Sequence, residues 1–327
     1  MRVILWLVLV LGVLWGGYWF VGSSAIKSGT KALLDDLRAQ GMLVEQTGLE
    51  VTGFPSRFDL TLTEPHFGDP QSGWAIKAPF AQVLAMTWKP WHVIAVLPQE
   101  VLVNAPRQQI AVSNTKLQAS LRVQPSSDLT LDELVLEAND LDLQSDLGWQ
   151  TGASRLVMAL AREEVAPLRY RLGLDIADLL PDPALTARLP NLGAEISSVR
   201  LDSTITLSAP LDRNVRATRP ALTGLKVLDF QVAWGTLHVL ARGEISPGLD
   251  GLAEGQIDFQ VEGWRELPEL LVALGLVRPE MGKSLSDGLE VVALSGGDPT
   301  TLSLPLVFAD GWISLGPLPL GPAPLLQ

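Results

Sequence analysis

The sequence predicts a mainly antiparallel β protein, built as one curved sheet or as a two-sheet body, with an αα-hairpin and one N-terminal transmembrane helix. Two observations lead to this prediction. The run from Val3 to Val21 carries no charge, and much of the chain after residue 42 alternates apolar and polar residues. Strands with one apolar and one polar face are typical of antiparallel sheets, because parallel sheets are covered on both faces.

The N-terminal run has the length of a membrane anchor. Its nineteen residues would form a helix of about 28 Å, close to the ~30 Å hydrocarbon core of a bilayer. Aromatic rings of the kind that settle at the headgroup level crowd its C-terminal end: Trp15, Tyr18, Trp19 and Phe20. We predict an anchor over residues 1–22. A signal peptide cut after Ala25 is the alternative, since Ser23 and Ala25 are suitably spaced small residues.

The charges around this run indicate where the rest of the chain lies. Only Met1 and Arg2 precede it, so nearly all of the chain lies on one side. Arg2 and the amino terminus favour a cytoplasmic N-terminus, although Lys27 and Lys31 weaken the bias. We predict a single-pass inner-membrane protein whose bulk is periplasmic.

Composition excludes several classes of protein. The formal net charge is −12 and the pI is near 4.7, whereas nucleic-acid binding depends on a basic surface. We therefore expect no nucleic-acid partner. The chain has no cysteine, which excludes disulfides, thiolate metal sites and a cysteine nucleophile.

Two segments show helical periodicity. Residues 23–41 carry leucines at near-helical spacing and stop at Gly41, which predicts a juxtamembrane amphipathic helix. A second pattern, with leucines repeating on one face and then on another, predicts an αα-hairpin near 265–293. The predicted body, including this hairpin, covers residues 42–327.

Period two dominates the body. Arg57–Thr63 alternates strictly, and the same pattern recurs in five further stretches: 117–123, 168–176, 199–208, 237–245 and 257–261. Two similar glycine-bearing segments, 240–245 and 252–257, indicate the two strands of one hairpin. The proline-rich end of the chain cannot form a helix.

Catalytic signatures are weak. His66, His92 and His238 share no metal-ligand spacing, and residues 139–146 lack the glycine and glutamate of a calcium loop. Ser-x-x-Lys occurs at Ser24 and Ser113, without the partner motifs of acyl-serine enzymes. We expect no enzymatic activity, no cofactor and no metal.

An apolar sheet face needs a cover, which can be another sheet, helices or a ligand. We predict that the alternating strands line an apolar groove for lipid chains. Its candidate wall residues are Phe58, Leu60, Leu62, Leu201, Ile205, Leu237, Val239, Phe259 and Val261. The alternative is that these side chains simply pack against one another. Ten tryptophans leave a similar choice between core packing and a membrane or lipid boundary.

Two motifs carry a family resemblance. Gly53-Phe54-Pro55-Ser56-Arg57-Phe58-Asp59-Leu60 and the closing segment from Asp310 to Gly321 resemble an uncharacterised alphaproteobacterial envelope family, known only as a domain of unknown function. The glycine-bearing alternating strands also look like those of AsmA-like proteins, a likeness that implies lipid handling. Neither resemblance implies catalytic residues.

The sequence therefore supports two functional hypotheses. The first is a membrane-anchored periplasmic envelope protein that binds or handles lipid through an apolar sheet face. The second is a structural or assembly partner of another envelope protein, without a ligand. Besides the inner membrane, the candidate partners are thus a lipid or another envelope protein.

Overall fold

The computed structural model describes residues 1–296, 298–316 and 318–326. Pro317 of the closing motif lies outside this range, as do Gly297 and Gln327. The chain divides into two compact units: unit 1 contains residues 1–125 and 142–148, and unit 2 contains residues 126–141 and 149–327. Each unit is mainly antiparallel β.

Helix α1 (Arg2–Ala39) is one continuous helix of 38 residues. It joins the predicted anchor (1–22) and the predicted amphipathic helix (23–41) without a break, because no proline interrupts the segment between them. Beyond its apolar run, α1 packs against the first strands of unit 1, where Leu34 is buried and Arg38 Nε donates to the Val44 carbonyl at 2.9 Å.

The strands of unit 1 form an antiparallel meander. They are β1 (Leu43–Glu45), β2 (Gly48–Thr52), β3 (Arg57–Thr63), β4 (His66–Asp69), β5 (Trp74–Lys77), β6 (Phe80–Met86), β7 (Lys89–Leu97), β8 (Glu100–Ala105), β9 (Gln108–Ser113) and β10 (Lys116–Val123). One set pairs in the order β2, β3, β6, β7, β10, and the other in the order β1, β4, β5, β8, β9. Where two strands that follow each other in the chain belong to different sets, as β3 and β4 do, they are the two halves of one long strand that is interrupted once.

Prolines mark several of these breaks. Pro65 separates β3 from β4, Pro79 separates β5 from β6, and Pro98 separates β7 from β8. A proline has no backbone N–H, so it interrupts the ladder of hydrogen bonds. The next break, at Asn114, is held by its side-chain amide, which donates to the Pro98 carbonyl at 3.0 Å. The breaks thus lie beside one another across the meander and form a bend line.

Unit 2 contains the longer strands. They are β12 (Gln150–Glu163), β13 (Ala166–Leu180), β14 (Ile196–Leu207), β15 (Leu222–Trp234), β16 (Leu237–Pro247), β17 (Ala253–Glu262), β18 (Thr301–Ala309), β19 (Trp312–Leu315) and β20 (Leu318–Pro322). Each pairs antiparallel with the next. Strand β11 (Leu131–Ser145) contributes residues to both units.

The register of unit 2 aligns apolar side chains in rows that cross seven strands, β12 to β18. One row contains Leu156, Ile176, Val199, Val232, Val239, Val261 and Leu302. The next row contains Met158, Leu174, Leu201, Phe230, Ala241, Phe259 and Leu304. Because side chains alternate between faces, these rows belong to one continuous apolar face.

Helices cover only one part of this face. α2 (Pro183–Thr186), α4 (Leu267–Ala273) and α5 (Gly282–Ser295) belong to unit 2, as does the short α3 (Val215–Thr218). Side chains of α2, α4 and α5 close a core over the ends of β15 to β18, in which Leu237, Val261 and Leu302 are buried. Trp234 and Trp264 complete it, and their indole N–H groups donate to backbone carbonyls at 3.1 and 3.2 Å.

The predicted fold class is confirmed: the protein is mainly antiparallel β, with two packed helices near 265–293 and one long N-terminal helix. The segments 240–245 and 252–257 fall on the paired strands β16 and β17, apart from Leu252, which precedes β17. The segment 42–327, predicted as one β-rich body, contains residues of both units. Alternation shows that a strand has one apolar face, but it is the same in every such strand. It therefore does not predict which strands pack into the same core.

Leu237 tests the closed part of the apolar face. Leu237→Ala should lower the free energy of unfolding by about 2–5 kcal/mol, because it leaves a cavity in a packed core. Leu240→Ala, at a 40% exposed position on the opposite face of β16, should change it by no more than about 0.5 kcal/mol. Denaturant unfolding of the full chain in detergent measures both. If both variants lowered the free energy of unfolding by the same amount, the helices would not be covering Leu237.

Candidate membrane-contact and lipid-contact surfaces

The apolar part of α1 is docked onto unit 1 by hydrogen bonds from its aromatic residues. The Trp15 indole N–H donates to the Pro55 carbonyl at 3.0 Å, and that of Trp19 donates to the Arg57 carbonyl at 2.7 Å. The Tyr18 hydroxyl donates to the Thr87 carbonyl at 2.8 Å. The acceptors lie in two neighbouring hairpins, β2–β3 and β6–β7. The aromatic residues at the end of the apolar run therefore bind the hairpins of unit 1, in addition to being suited to a membrane boundary.

Aromatic stacking and one close approach complete this dock. The Trp19 ring lies 5.4 Å from that of Phe54 and 6.2 Å from that of Phe58, between centroids. A Cβ atom on Gly22 would lie 2.6 Å from the Phe58 ring, so only glycine allows the helix to approach this closely. The motif from Gly53 to Asp59 is thus the segment that binds α1.

Gly53 explains the start of that motif. Its φ is +97°, and a Cβ atom there would lie 2.8 Å from the Arg57 carbonyl oxygen. Both observations require glycine at this turn. Arg57 Nη2 pairs with Asp59 Oδ2 at 2.8 Å at the start of β3, next to this turn. The Asp59 side chain of this pair is largely buried, with 13% of its surface exposed.

The nine predicted groove residues separate into two groups. Phe58 is buried under α1, and Leu237 and Val261 are buried in the helix-covered core. These three side chains are packed against protein and do not present a surface to a ligand. The other six are half-buried: Leu60 and Leu62 in unit 1, and Leu201, Ile205, Val239 and Phe259 in unit 2. Of these, Val239 and Phe259 also pack against the helix-covered core.

A half-exposed apolar surface of unit 2 lies on β12 to β14. On the same face as the covered rows, eight side chains keep partial contact with solvent. They are Leu156, Met158, Leu160, Leu172, Leu174, Ile176, Val199 and Leu201, and we call them the apolar strip. Only Leu201 of these was among the predicted wall residues. The others on β13 and β14 lie in the alternating stretches 168–176 and 199–208, which were not assigned to a site. The three on β12 lie outside every stretch in which alternation was predicted.

The opposite face of unit 2 is charged. Arg171 binds Asp202 with two hydrogen bonds, of 2.8 and 2.5 Å, and Arg200 Nε lies 3.1 Å from Asp175 Oδ2. The Arg171 guanidinium lowers the pKa of the Asp202 carboxyl. This shift favours the ionised form, whereas a general acid at neutral pH needs a raised pKa. The ion pairs mark a face suited to water, which contrasts with the apolar strip.

The structure does not bring the three histidines together. His66 contacts Glu45 at 3.1 Å and His92 contacts Ser120 at 2.9 Å, on different strands of unit 1, while His238 belongs to unit 2. Among the described residues, no three His, Cys, Asp or Glu side chains are close enough to hold a metal ion. A concavity of about 550 Å³ at the bend line of unit 1 is lined in part by Glu64, Lys77 and Glu100, and not by the predicted wall residues.

These features define a class: a β-rich protein with one N-terminal helix that is long and apolar enough to cross a membrane. Within it, the chain belongs to the DUF2125 family, described as an uncharacterised protein conserved in bacteria, whose profile matches residues 19–324. No curated protein and no solved structure matches the chain. The resemblance to an uncharacterised bacterial family is thus confirmed, and the likeness to AsmA-like proteins is not.

Gly22 provides a test of the dock. Gly22→Val should lower the free energy of unfolding of the full chain in detergent by about 1–3 kcal/mol, because the new side chain overpacks against Phe58. Gly17→Val is the matched control, since a Cβ atom at Gly17 meets nothing within 4 Å. Thermal unfolding compares the two. An unchanged Gly22 variant would contradict the close contact between α1 and β3.

Proposed function

We propose that this protein is an inner-membrane-anchored envelope protein that binds lipid chains with the apolar strip of its periplasmic body. The observation that carries the proposal is the strip itself. Soluble surfaces rarely expose large contiguous apolar patches, and those that do usually bind a partner, a ligand or a membrane. A half-buried strip of aliphatic side chains matches an acyl chain in chemistry.

The energetics support such binding. Burying one methylene contributes about 0.8 kcal/mol, so ten methylenes would contribute about 8 kcal/mol. This is of the same order as the ~4–15 kcal/mol that association costs. Strands β12 to β14 are paired along most of their lengths, so the strip is formed before any ligand binds.

The length and composition of α1 support the anchor. Its apolar side chains from Val3 to Leu14 are exposed, as expected for a surface whose natural surroundings are lipid. The body would follow α1 on the periplasmic side, with Arg2 on the cytoplasmic side. The proposal assigns no catalytic role to any residue.

A second candidate function is assembly with another envelope protein. The segment that joins α4 to α5 and the outer side of α5 expose a separate set of large apolar side chains: Leu274, Leu276 and Met281 in the connection, and Val291 and Leu294 in α5. Helix pairs with an uncovered apolar face commonly bind another protein. This surface needs no lipid, so the two candidate functions are separable by experiment.

The anchor makes a simple prediction. The protein should stay in the membrane fraction after alkaline carbonate washing, because an apolar helix of this length is held in the hydrocarbon core of the bilayer. Protease added to the periplasmic side should degrade the body. A released, soluble form that begins near Ile26 would instead identify α1 as a cleaved signal sequence.

Leu201→Asp tests the strip. Because Leu201 is only half-buried, the variant should keep a cooperative unfolding transition, whereas a charge in a closed core unfolds a protein. Lipid that co-purifies with the parent, detected by native mass spectrometry, should be lost. Thr204→Asp, at a half-buried position on the opposite face of β14, is the control and should retain lipid.

Other outcomes identify the alternatives. A Leu201→Asp variant that fails to fold would place this residue in an ordinary core. A parent protein that carries no lipid and takes up none from vesicles would overturn lipid binding. In that case assembly through the α4–α5 surface becomes the supported function.

A further inference from the structure

We propose that the tips of the β2–β3 and β6–β7 hairpins are inserted into the boundary layer of the membrane that α1 crosses. The inserted side chains would be Phe54, Met86 and Trp88. This inference rests on the proposed membrane anchor and goes beyond it, because it assigns a lipid-contact role to the β body. The partner it names is the bilayer.

The hydrogen bonds of the dock fix the depth of the tips. Trp15 lies six residues before Val21, the end of the apolar run, which is about 9 Å along the helix axis. Its indole donates to the Pro55 carbonyl, and side chains of a helix lean toward its N-terminus, here toward the membrane interior. When the apolar run spans the hydrocarbon core, Pro55 therefore lies at or below the boundary of that core.

The backbone of the tips is suited to a medium without water. The Arg57 N–H donates to the Gly53 carbonyl at 2.9 Å, and the Thr87 N–H donates to the Ser56 carbonyl at 3.1 Å. The Thr87 hydroxyl also donates to the Ser56 carbonyl, and Thr87 is buried. When backbone N–H and C=O groups form hydrogen bonds within the protein, moving the segment into lipid costs much less free energy.

Three side chains of the tips are apolar and exposed, beside the polar Ser56 and the ion-paired Arg57. Phe54 is 56% exposed, Met86 43% and Trp88 57%. Phe54 also stacks on Phe20, with 5.8 Å between ring centroids, so its exposed surface continues that of α1. Aromatic rings favour the boundary between headgroups and acyl chains. Lys89, next to Trp88, is long enough to reach the headgroups while its stem lies along apolar surface.

Single cysteines can report the depth of each position, because the natural chain has none. Phe54→Cys, Met86→Cys and Trp88→Cys would each carry an environment-sensitive fluorophore, in the full chain reconstituted in phosphatidylcholine vesicles. Trp74→Cys is the matched control: Trp74 is 50% exposed, and it begins β5 at the far end of the long strand that ends with Met86. Val10→Cys, in the apolar run, reports the anchor.

Labels at the three tip positions should emit at shorter wavelength than the Trp74 label. They should be quenched by nitroxide lipids and resist iodide, while the Trp74 label should be quenched by iodide. Tip labels that iodide quenches as fully as the Trp74 label, with Val10 protected, would overturn the insertion and leave the anchor intact. A Val10 label open to iodide would overturn both.

Discussion

The central constraint on this protein is that an antiparallel sheet with one apolar face must cover that face. In unit 2 the face crosses seven strands, from β12 to β18. The helices of unit 2 are short, and they close a core only over the ends of β15 to β18. The remaining face lies half-exposed on β12 to β14. The candidate lipid surface lies on β12 to β14 because the helix-covered core does not extend over those strands.

Unit 1 meets the same constraint with a different cover. There α1 buries Phe58 and places Trp19 against it. The helix serves a structural role for the sheet along the same residues that suit a membrane boundary. Tryptophans consequently divide by environment: Trp234 and Trp264 are core residues, whereas Trp74, Trp88 and Trp312 are exposed.

Much of the fold was predictable because local periodicity reports local structure. The alternation of Arg57–Thr63 gives strand β3 with those bounds, and the leucine spacing after Trp264 gives α4 and α5. The apolar strip was harder to predict. Residues 156–160 read Leu-Val-Met-Ala-Leu, a continuous apolar run in which period two is hidden. The burial of Phe58 and Leu237 depends on contacts between distant segments, which no local pattern contains.

The two attachment points on α1 have a mechanical consequence. Trp19 and Arg38 both bind unit 1 through backbone carbonyls, and nineteen residues of helix separate them by about 28 Å. Because α1 is attached to the strands of unit 1 at both points, it cannot rotate relative to them. In the proposed orientation, a helix adapts to a thinner bilayer by tilting. Unit 1 would then tilt with it through the same angle, so bilayer thickness would set the orientation of the sheet above the membrane.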